Sequence, residues 1–289
     1  MIIVQLTGGL GNQLFQYAMG RALAIKNNCE LKLDLSFFEN YDWHEYSLDS
    51  FQTINNIATK DEIEKIKKLN NSFFKKLERK IFRTKSCLVV EESLLFNPDY
   101  LKLKNPVYLI GYWQCEEYFK KYKEQIKQDL QIIILPSKEN SNFLERINSS
   151  ESVSLHIRRG NFITVDYVNQ VHGTCSMEYY LEAVKFIANK CSEPVFYIFS
   201  DDISWAKKNF VLPFEIEFVD INDEKTDYED LRLMYNCKHH IIANSTFSWW
   251  GAWLKDMPDK IVVAPKKWFA QKDKNMAAGT IIPKNWITI

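Results

Sequence analysis

Short apolar runs alternate with longer amphipathic stretches along most of the chain. Residues 2–6, 31–35, 107–112, 131–135, 153–157, 195–199, 215–219, 240–243 and 261–264 read as strands. Several of these runs are nearly continuous in Ile, Val and Phe, as strands covered on both faces are. Between them, 13–26, 61–82, 116–130, 177–189, 228–236 and 247–254 carry the three- to four-residue apolar spacing of helices. The alternation predicts an α/β fold with mainly parallel sheets. The segment 137–152 is polar and rich in turn formers. It splits the chain into two halves, each long enough for a Rossmann-like unit, with predicted domains at 1–148 and 149–289.

Composition narrows the function. Of 289 residues 46% are hydrophobic, enough for a substantial core, and 37 basic side chains balance 37 acidic ones. A zero net charge argues against nucleic acid as a partner. No uncharged apolar run reaches the ~18–20 residues of a membrane span. The first residues, Met1 to Thr7, read as a strand and not as a signal peptide, so a cytoplasmic location is expected. Six scattered cysteines form no C-x-x-C pair, which speaks against a zinc site or a redox dithiol. One stretch breaks the charge balance: Lys60–Lys85 holds ten basic residues against four acidic ones, a formal +6. Its Ile and Leu spacing fits either an amphipathic crossover with a solvated basic face or a patch resting on an anionic membrane.

Four places carry candidate chemistry. The first is Thr7-Gly8-Gly9-Leu10-Gly11-Asn12-Gln13, where a strand meets a helix. Glycines there permit a sharp turn and a close ligand, and the helix N-terminus favours an anion. The second is His156-Ile157-Arg158-Arg159-Gly160-Asn161. Two arginines at a strand end need an anionic partner, either a ligand phosphate or an internal Asp or Glu. The third is Ser200-Asp201-Asp202, whose carboxylates suit ribose hydroxyls, a guanine edge or the N-cap of the next helix. The fourth is Asn244-Ser245-Thr246-Phe247-Ser248-Trp249-Trp250-Gly251. Its hydroxyls can cap a helix or bind phosphate, and its tryptophans read as core. His239-His240 lies in an apolar run and reads as structural. No D-x-D triplet, P-loop or G-x-S-x-G occurs, so no metal site is expected.

These residues together resemble glycosyltransferase family 11, the α-1,2-fucosyltransferases. Gly8 to Ala18 resembles the family's N-terminal signature, and His156-Ile157-Arg158-Arg159-Gly160 its H-x-R-R-G motif. Ser200-Asp201-Asp202 and Asn244 to Gly251 match its later motifs. The order and spacing hold through almost the whole chain.

The resemblance implies a GT-B fold, two Rossmann-like domains with mainly parallel sheets facing across a cleft. The N-terminal domain would serve the acceptor and the C-terminal one GDP-fucose. The implied reaction is inverting transfer of L-fucose from GDP-β-L-fucose to the 2-hydroxyl of a terminal β-galactoside, with no cofactor and no required metal. Arg158 would hold the β-phosphate, His156 would lie beside the nucleotide, and Asn12 would reach the diphosphate or fucose. Asp201 or Asp202 would bind guanosine. Ser245 and Thr246 would bind the phosphates, and Gly9, Gly11, Arg159, Asn244 and Ser248 complete the expected donor set. Bacterial relatives build surface polysaccharide on lipid-linked acceptors, which fits peripheral contact with the inner membrane face through 60–85. Family members often carry Asp after H-x-R-R-G; Asn161 stands here, and an amide cannot act as a base. Two other readings remain: a non-catalytic GDP-sugar or glycan-binding protein in the same shell, and a transferase using another GDP-sugar.

Overall fold

The computed structural model describes residues 1–40, 43–71 and 87–289. The chain forms two compact units, Met1–Ile133 and Ile134–Ile289.

In the first unit, β1 (Ile2–Gln5) leads into α1 (Leu10–Asn27), followed by β2 (Leu31–Asp34) and α2 (Lys60–Asn71). β3 (Leu88–Val90), β4 (Val107–Ile110) and α3 (Lys123–Asp129) complete it. The four strands are all parallel in the order β2-β1-β4-β3. Ile2, Ile3 and Val4 are fully buried, as expected of a central strand covered on both faces. α1 lies close on this sheet because residue 20 is glycine: a Cβ there would meet Val4 Cγ1 and Leu31 Cδ1 at 2.9 Å. Asn28 ends the helix in the left-handed region (φ 47°), its N–H returning to the Ala24 and Ile25 carbonyls. α2 packs Ile63 and Ile66 beside Ile3 and Tyr108, which is the amphipathic crossover expected of its sequence. The rest of 60–85 lies outside the described residues beyond Asn71, as does the predicted continuation of this helix to residue 82.

Two expectations change. The predicted helix 116–130 is a pair of 3₁₀ turns followed by α3. The predicted strand 131–135 makes only an isolated antiparallel bridge, Phe51 to Ile132. Its apolar residues end the first unit and open the second, with Leu135 87% exposed. An apolar run without a neighbouring strand to pair with is not a strand, whatever its propensity.

The boundary therefore falls at 133/134 and not at 148/149. The polar segment 137–152 is mostly a helix of the second unit, α4 (Lys138–Ser149). Ser137 caps it, Oγ accepting from Asn140 N–H at 3.1 Å. Phe143 and Ile147 turn into the core beside Tyr197 and Phe199. Its polar residues are a cap and a solvent face, which read like a linker when the two buried positions are overlooked.

β5 (Glu151–Ile157) follows, then α5 (Gly160–Thr164), α6 (Asp166–His172) and α7 (Met177–Ala188). β6 (Pro194–Ser200), α8 (Ile203–Asn209), β7 (Glu215–Phe218) and α9 (Asp227–Asn236) come next. β8 (His239–Ile241), α10 (Thr246–Trp253), β9 (Val262–Ala264), α11 (Lys272–Ala277) and β10 (Ile287–Thr288) close the chain. All six strands are parallel, in the order β10-β9-β8-β5-β6-β7. This is the doubly wound order, and it reverses between β5 and β8. Trp249 and Trp250 are fully buried core residues, as read from the sequence.

Candidate active site

In the second unit the strand order reverses where β5 and β8 end, which is where an open parallel sheet binds ligands. β5 runs straight into Arg158 and Arg159. Arg158 Nη1 lies 3.0 Å from Asp201 Oδ2, and the Arg159 N–H donates to Asp201 Oδ1 at 2.8 Å. Gly160 makes this possible, because a Cβ there would fall 2.4 Å from Asp201 Oδ2. Arg159 turns away: its Nε donates to Asp202 at 3.3 Å and its guanidinium lies 3.7 Å from the Trp205 ring centroid. Asp202 also caps α8, accepting from Trp205 N–H at 3.1 Å. Both carboxylates are thus engaged by internal donors, and Arg159 is braced between Asp202 and Trp205. Arg158 keeps 28% of its side chain exposed at the sheet mouth.

His156 sits behind it, almost fully buried, its ring 5.7 Å from Phe247. Burial, then the neighbouring Arg158, push its pKa down to about 3, so it is neutral. Its Nδ1 has no hydrogen-bond partner. His172, which the sequence reading did not single out, ends α6 sandwiched between Phe162 (4.7 Å) and Phe269 (5.1 Å). Burial, Lys274 and Arg158 lower its pKa to about 4. A lone histidine in a polar stretch offers no sequence signal; only the fold brings it near Arg158.

On the other side of the reversal, Asn244 is spent internally. Its Nδ2 donates to the carbonyls of His172, Gly173 and Trp268 at 3.1–3.2 Å, and Oδ1 accepts from Cys175. Ser248 Oγ, buried, donates to the Ser245 and Ala243 carbonyls. Both side chains are held by partners within the unit. Ser245 and Thr246 remain half-buried where α10 begins, and the Ser245 side chain does not cap that end. First-turn N–H groups have no acceptor within a helix, so an anion is favoured there.

A further acidic group lies at the same edge of the sheet, in α9 after β7. Burial, Asp230 and Glu224 raise the Asp227 pKa to about 7. Burial and Glu229 raise that of Asp230 to about 6, against a 2.7 Å bond from Asn222 Nδ2. Three acidic residues in one turn, Asp227, Glu229 and Asp230, were the available signal.

In the first unit, Gly8 holds the left-handed turn (φ +71°), while Gly9 is the extended N-cap of α1. Gly9 faces the His44 ring, which a Cβ there would meet at an ordinary contact distance of 3.4 Å. Gly11 is buried in the first turn of α1. Two fully buried glutamines staple the loops. Gln13 Nε2 donates to the Gly8 and Glu45 carbonyls at 2.8 Å, and its Oε1 accepts from Ser47 N–H. Gln16 accepts from Thr7 N–H at 2.9 Å and donates to the Gly111 carbonyl at 3.0 Å. Asn12 Oδ1 accepts from Gln114 Nε2 at 3.0 Å.

Among the described residues one cluster, Glu151, Cys191 and His239, has donors close enough to share a metal. It sits at the opposite end of β5. His239 Nδ1 accepts from Ile261 N–H at 3.1 Å, so Nε2 carries the proton given to Glu151 at 2.9 Å. Lys238 Nζ also lies 2.7 Å from Glu151. A metal at Nε2 has to displace that proton and the backbone bond at Nδ1, so the cluster is an ion-pair network. His240, with Nδ1 2.8 Å from Ser154 Oγ, is likewise structural.

Two parallel-sheet units, one with an arginine–carboxylate mouth at its reversal point, give an α/β fold of GT-B type. Over 90% of this chain and 69% of the other, the fold matches GDP-bound Arabidopsis thaliana FUT1 with a TM-score of 0.52 at 11% identity. The chain belongs to glycosyl transferase family 11, whose profile matches residues 1–289. An Escherichia coli α-1,2-colitosyltransferase is 35% identical over 100% of this chain and 99% of its own length. The Escherichia coli O-antigen biosynthesis glycosyltransferase WbnK is 34% identical over 93% and 95%.

Proposed function

We propose that this glycosyltransferase is a galactoside α-1,2-fucosyltransferase. It transfers L-fucose with inversion from GDP-β-L-fucose to the 2-hydroxyl of a terminal β-galactoside, without a metal, in surface-polysaccharide synthesis. The observation that carries the reading is Arg158, partly exposed at the reversal point and oriented by Asp201. Bond cleavage through an oxocarbenium-like transition state loads negative charge on the departing β-phosphate. Arg158 and the first turn of α10 supply fixed donors for that charge, with Ser245 and Thr246 at the same helix end. Neutral His156 packs beside the nucleotide, and Asn12 serves the sugar side of the first unit. No general base is assigned; the leaving phosphate can take the acceptor proton.

A second reading is favoured by the 35% identical colitosyltransferase. Contacts to phosphate do not sense the hexose, so the same mouth suits a colitosyl donor. GDP release from GDP-fucose and from GDP-colitose, with EDTA present, over a panel of β-galactosides separates the two. Acceptor-dependent release with fucose found on the galactose 2-hydroxyl supports the first reading. Turnover of GDP-colitose alone replaces the donor. Nucleotide binding with no turnover of any GDP-sugar supports a non-catalytic sensor. We also propose peripheral membrane contact through 60–85, tested by co-sedimentation with anionic liposomes. Binding that vanishes with added salt is expected, and salt-insensitive or absent binding counts against it.

A further inference from the structure

We propose that the loop Gly111–Gln114 of the first unit is the acceptor-saccharide platform: Tyr112 stacks on the apolar C–H face of the sugar, and Glu91 positions it. This deepens the transferase reading and rests on it.

The strand order of the first sheet breaks between β1 and β4, neighbours in space followed by the turn 6–9 into α1 and by the loop 111–114. That is the ligand end of a parallel sheet. Glu91, the residue after β3, binds the second loop from beneath. Its Oε2 accepts from Tyr112 N–H at 2.7 Å and Trp113 N–H at 3.0 Å. Gly111 allows the approach, since a Cβ there would lie 2.4 Å from Glu91 Cβ. The loop is kept at a cost. Trp113 is held in the left-handed region, φ +57°, a strain that persists in proteins where the surroundings enforce it. Its indole Nε1 and the other Glu91 oxygen, both sealed from solvent, have no hydrogen-bond partner. Burial raises the Glu91 pKa even though two N–H groups hold the carboxylate.

The result of that arrangement is an exchange of neighbours. Trp113 goes fully inside, 5.0 Å from Tyr100 and 5.8 Å from Tyr118, while Tyr112 is turned out, 46% exposed. Gln114 continues inward to Asn12. An exposed tyrosine alone is ordinary. One presented by a strained backbone and two unsatisfied buried polar atoms is a built feature.

Charge selects the occupant. No Lys or Arg stands in 7–13, 35–40, 43–47, 91–95 or 111–115, the segments that leave the C-terminal ends of these strands, while Glu39, paired with Lys60 at 3.0 Å, the buried Glu91, Glu45 and Glu92 do. These segments supply no cation to pair with a diphosphate. A neutral polyol with one apolar face, bonding to amides and carboxylates at its rim, fits.

The test compares Tyr112→Ala, Tyr112→Phe and Glu91→Gln, using GDP-fucose, methyl β-galactoside and GDP. Tyr112→Ala is expected to raise the acceptor KM about 3- to 10-fold. Donor KM and GDP affinity should stay unchanged. Tyr112→Phe, which keeps the ring, should restore the acceptor KM to within about twofold. Glu91→Gln should raise the acceptor KM in the same direction without moving GDP affinity. Saturation-transfer NMR of methyl β-galactoside reads the platform without turnover and should weaken in Tyr112→Ala. An unchanged saccharide signal in folded Tyr112→Ala overturns the proposal, as does a donor KM that shifts as much as the acceptor KM. Failure of the wild type to transfer fucose overturns the fucosyl reading instead, while the NMR comparison still decides the platform.

Discussion

The two adjacent arginines should fail in opposite ways when replaced. Arg159 is held by Asp202 at 3.3 Å and by the Trp205 ring at 3.7 Å. Its side chain is 21% exposed, so the stacking is partly desolvated and worth about 1–2 kcal/mol. Arg159→Ala should therefore lower the Tm by roughly 3–6 °C and turnover by less than about tenfold. Arg158 is 28% exposed and its Asp201 partner 23%, so their pairing adds at most about 1 kcal/mol to stability after solvent screening. In the proposed reaction Arg158 is a charged donor where phosphate charge develops, and such a donor supplies about 3–4 kcal/mol in the transition state. Arg158→Ala should cut kcat by about 10²–10³-fold with a Tm within a few degrees of wild type. GDP release under saturating donor and acceptor, with calorimetric unfolding of the same samples, measures both axes. Near wild-type kcat in Arg158→Ala refutes the assignment, and so does an Arg159→Ala variant that is the more severely impaired in turnover while fully stable.

Three further outcomes follow from the same geometry. Gly160→Ala places a methyl 2.4 Å from Asp201 Oδ2 and must displace that carboxylate from Arg158. Turnover should fall roughly tenfold or more, and kinetics indistinguishable from wild type refute the close approach. Asn244→Ala leaves the Gly173 and Trp268 carbonyls without this donor, the His172 carbonyl keeping the Ala270 N–H, and costs roughly 2 kcal/mol or more of stability. GDP affinity of the folded protein should hardly change; a tenfold weaker GDP complex at undiminished stability restores Asn244 to the donor site. Asp227, with its pKa raised to about 7 from 3.8, keeps its proton on folding, so its ionisation opposes the fold increasingly as pH rises from about 4 to 7. Asp227→Asn should stabilise the protein by a few kcal/mol at pH 8 and hardly at pH 3, and a gain independent of pH contradicts the raised pKa.

The architecture was readable where burial wrote a pattern. Runs such as Val-Ser-Leu-His-Ile and Val-Phe-Tyr-Ile-Phe are central strands because both faces are covered. The run Ile-Ile-Ile-Leu at 132–135 misled because hydrophobicity does not say whether a partner strand exists. α4 was missed because two buried residues, Phe143 and Ile147, are too few to mark a helix among polar neighbours. In the site, the residue types were legible but their duties were not. Arg158 and Arg159 are adjacent and chemically identical, and only the positions of Asp201, Asp202 and Trp205 divide them into a presented group and a brace. Asn244 offered the same side chain as a ligand contact and serves as a tie between loops.

Charge separates the two sheets more sharply than any single residue. The mouth of the second sheet carries Arg158 and Arg159 against Asp201 and Asp202. The mouth of the first has no Lys or Arg in the segments that build it. The first unit carries cations elsewhere, Lys32 in β2 and Lys60 at the start of α2 among them, so the contrast is confined to the two mouths. Substituting Lys for Gln114, beside Asn12, reverses that pattern at one point. If the first mouth serves a neutral sugar, Gln114→Lys should weaken acceptor use without tightening GDP. A marked gain in GDP affinity places nucleotide on the first unit and removes the basis for separate mouths.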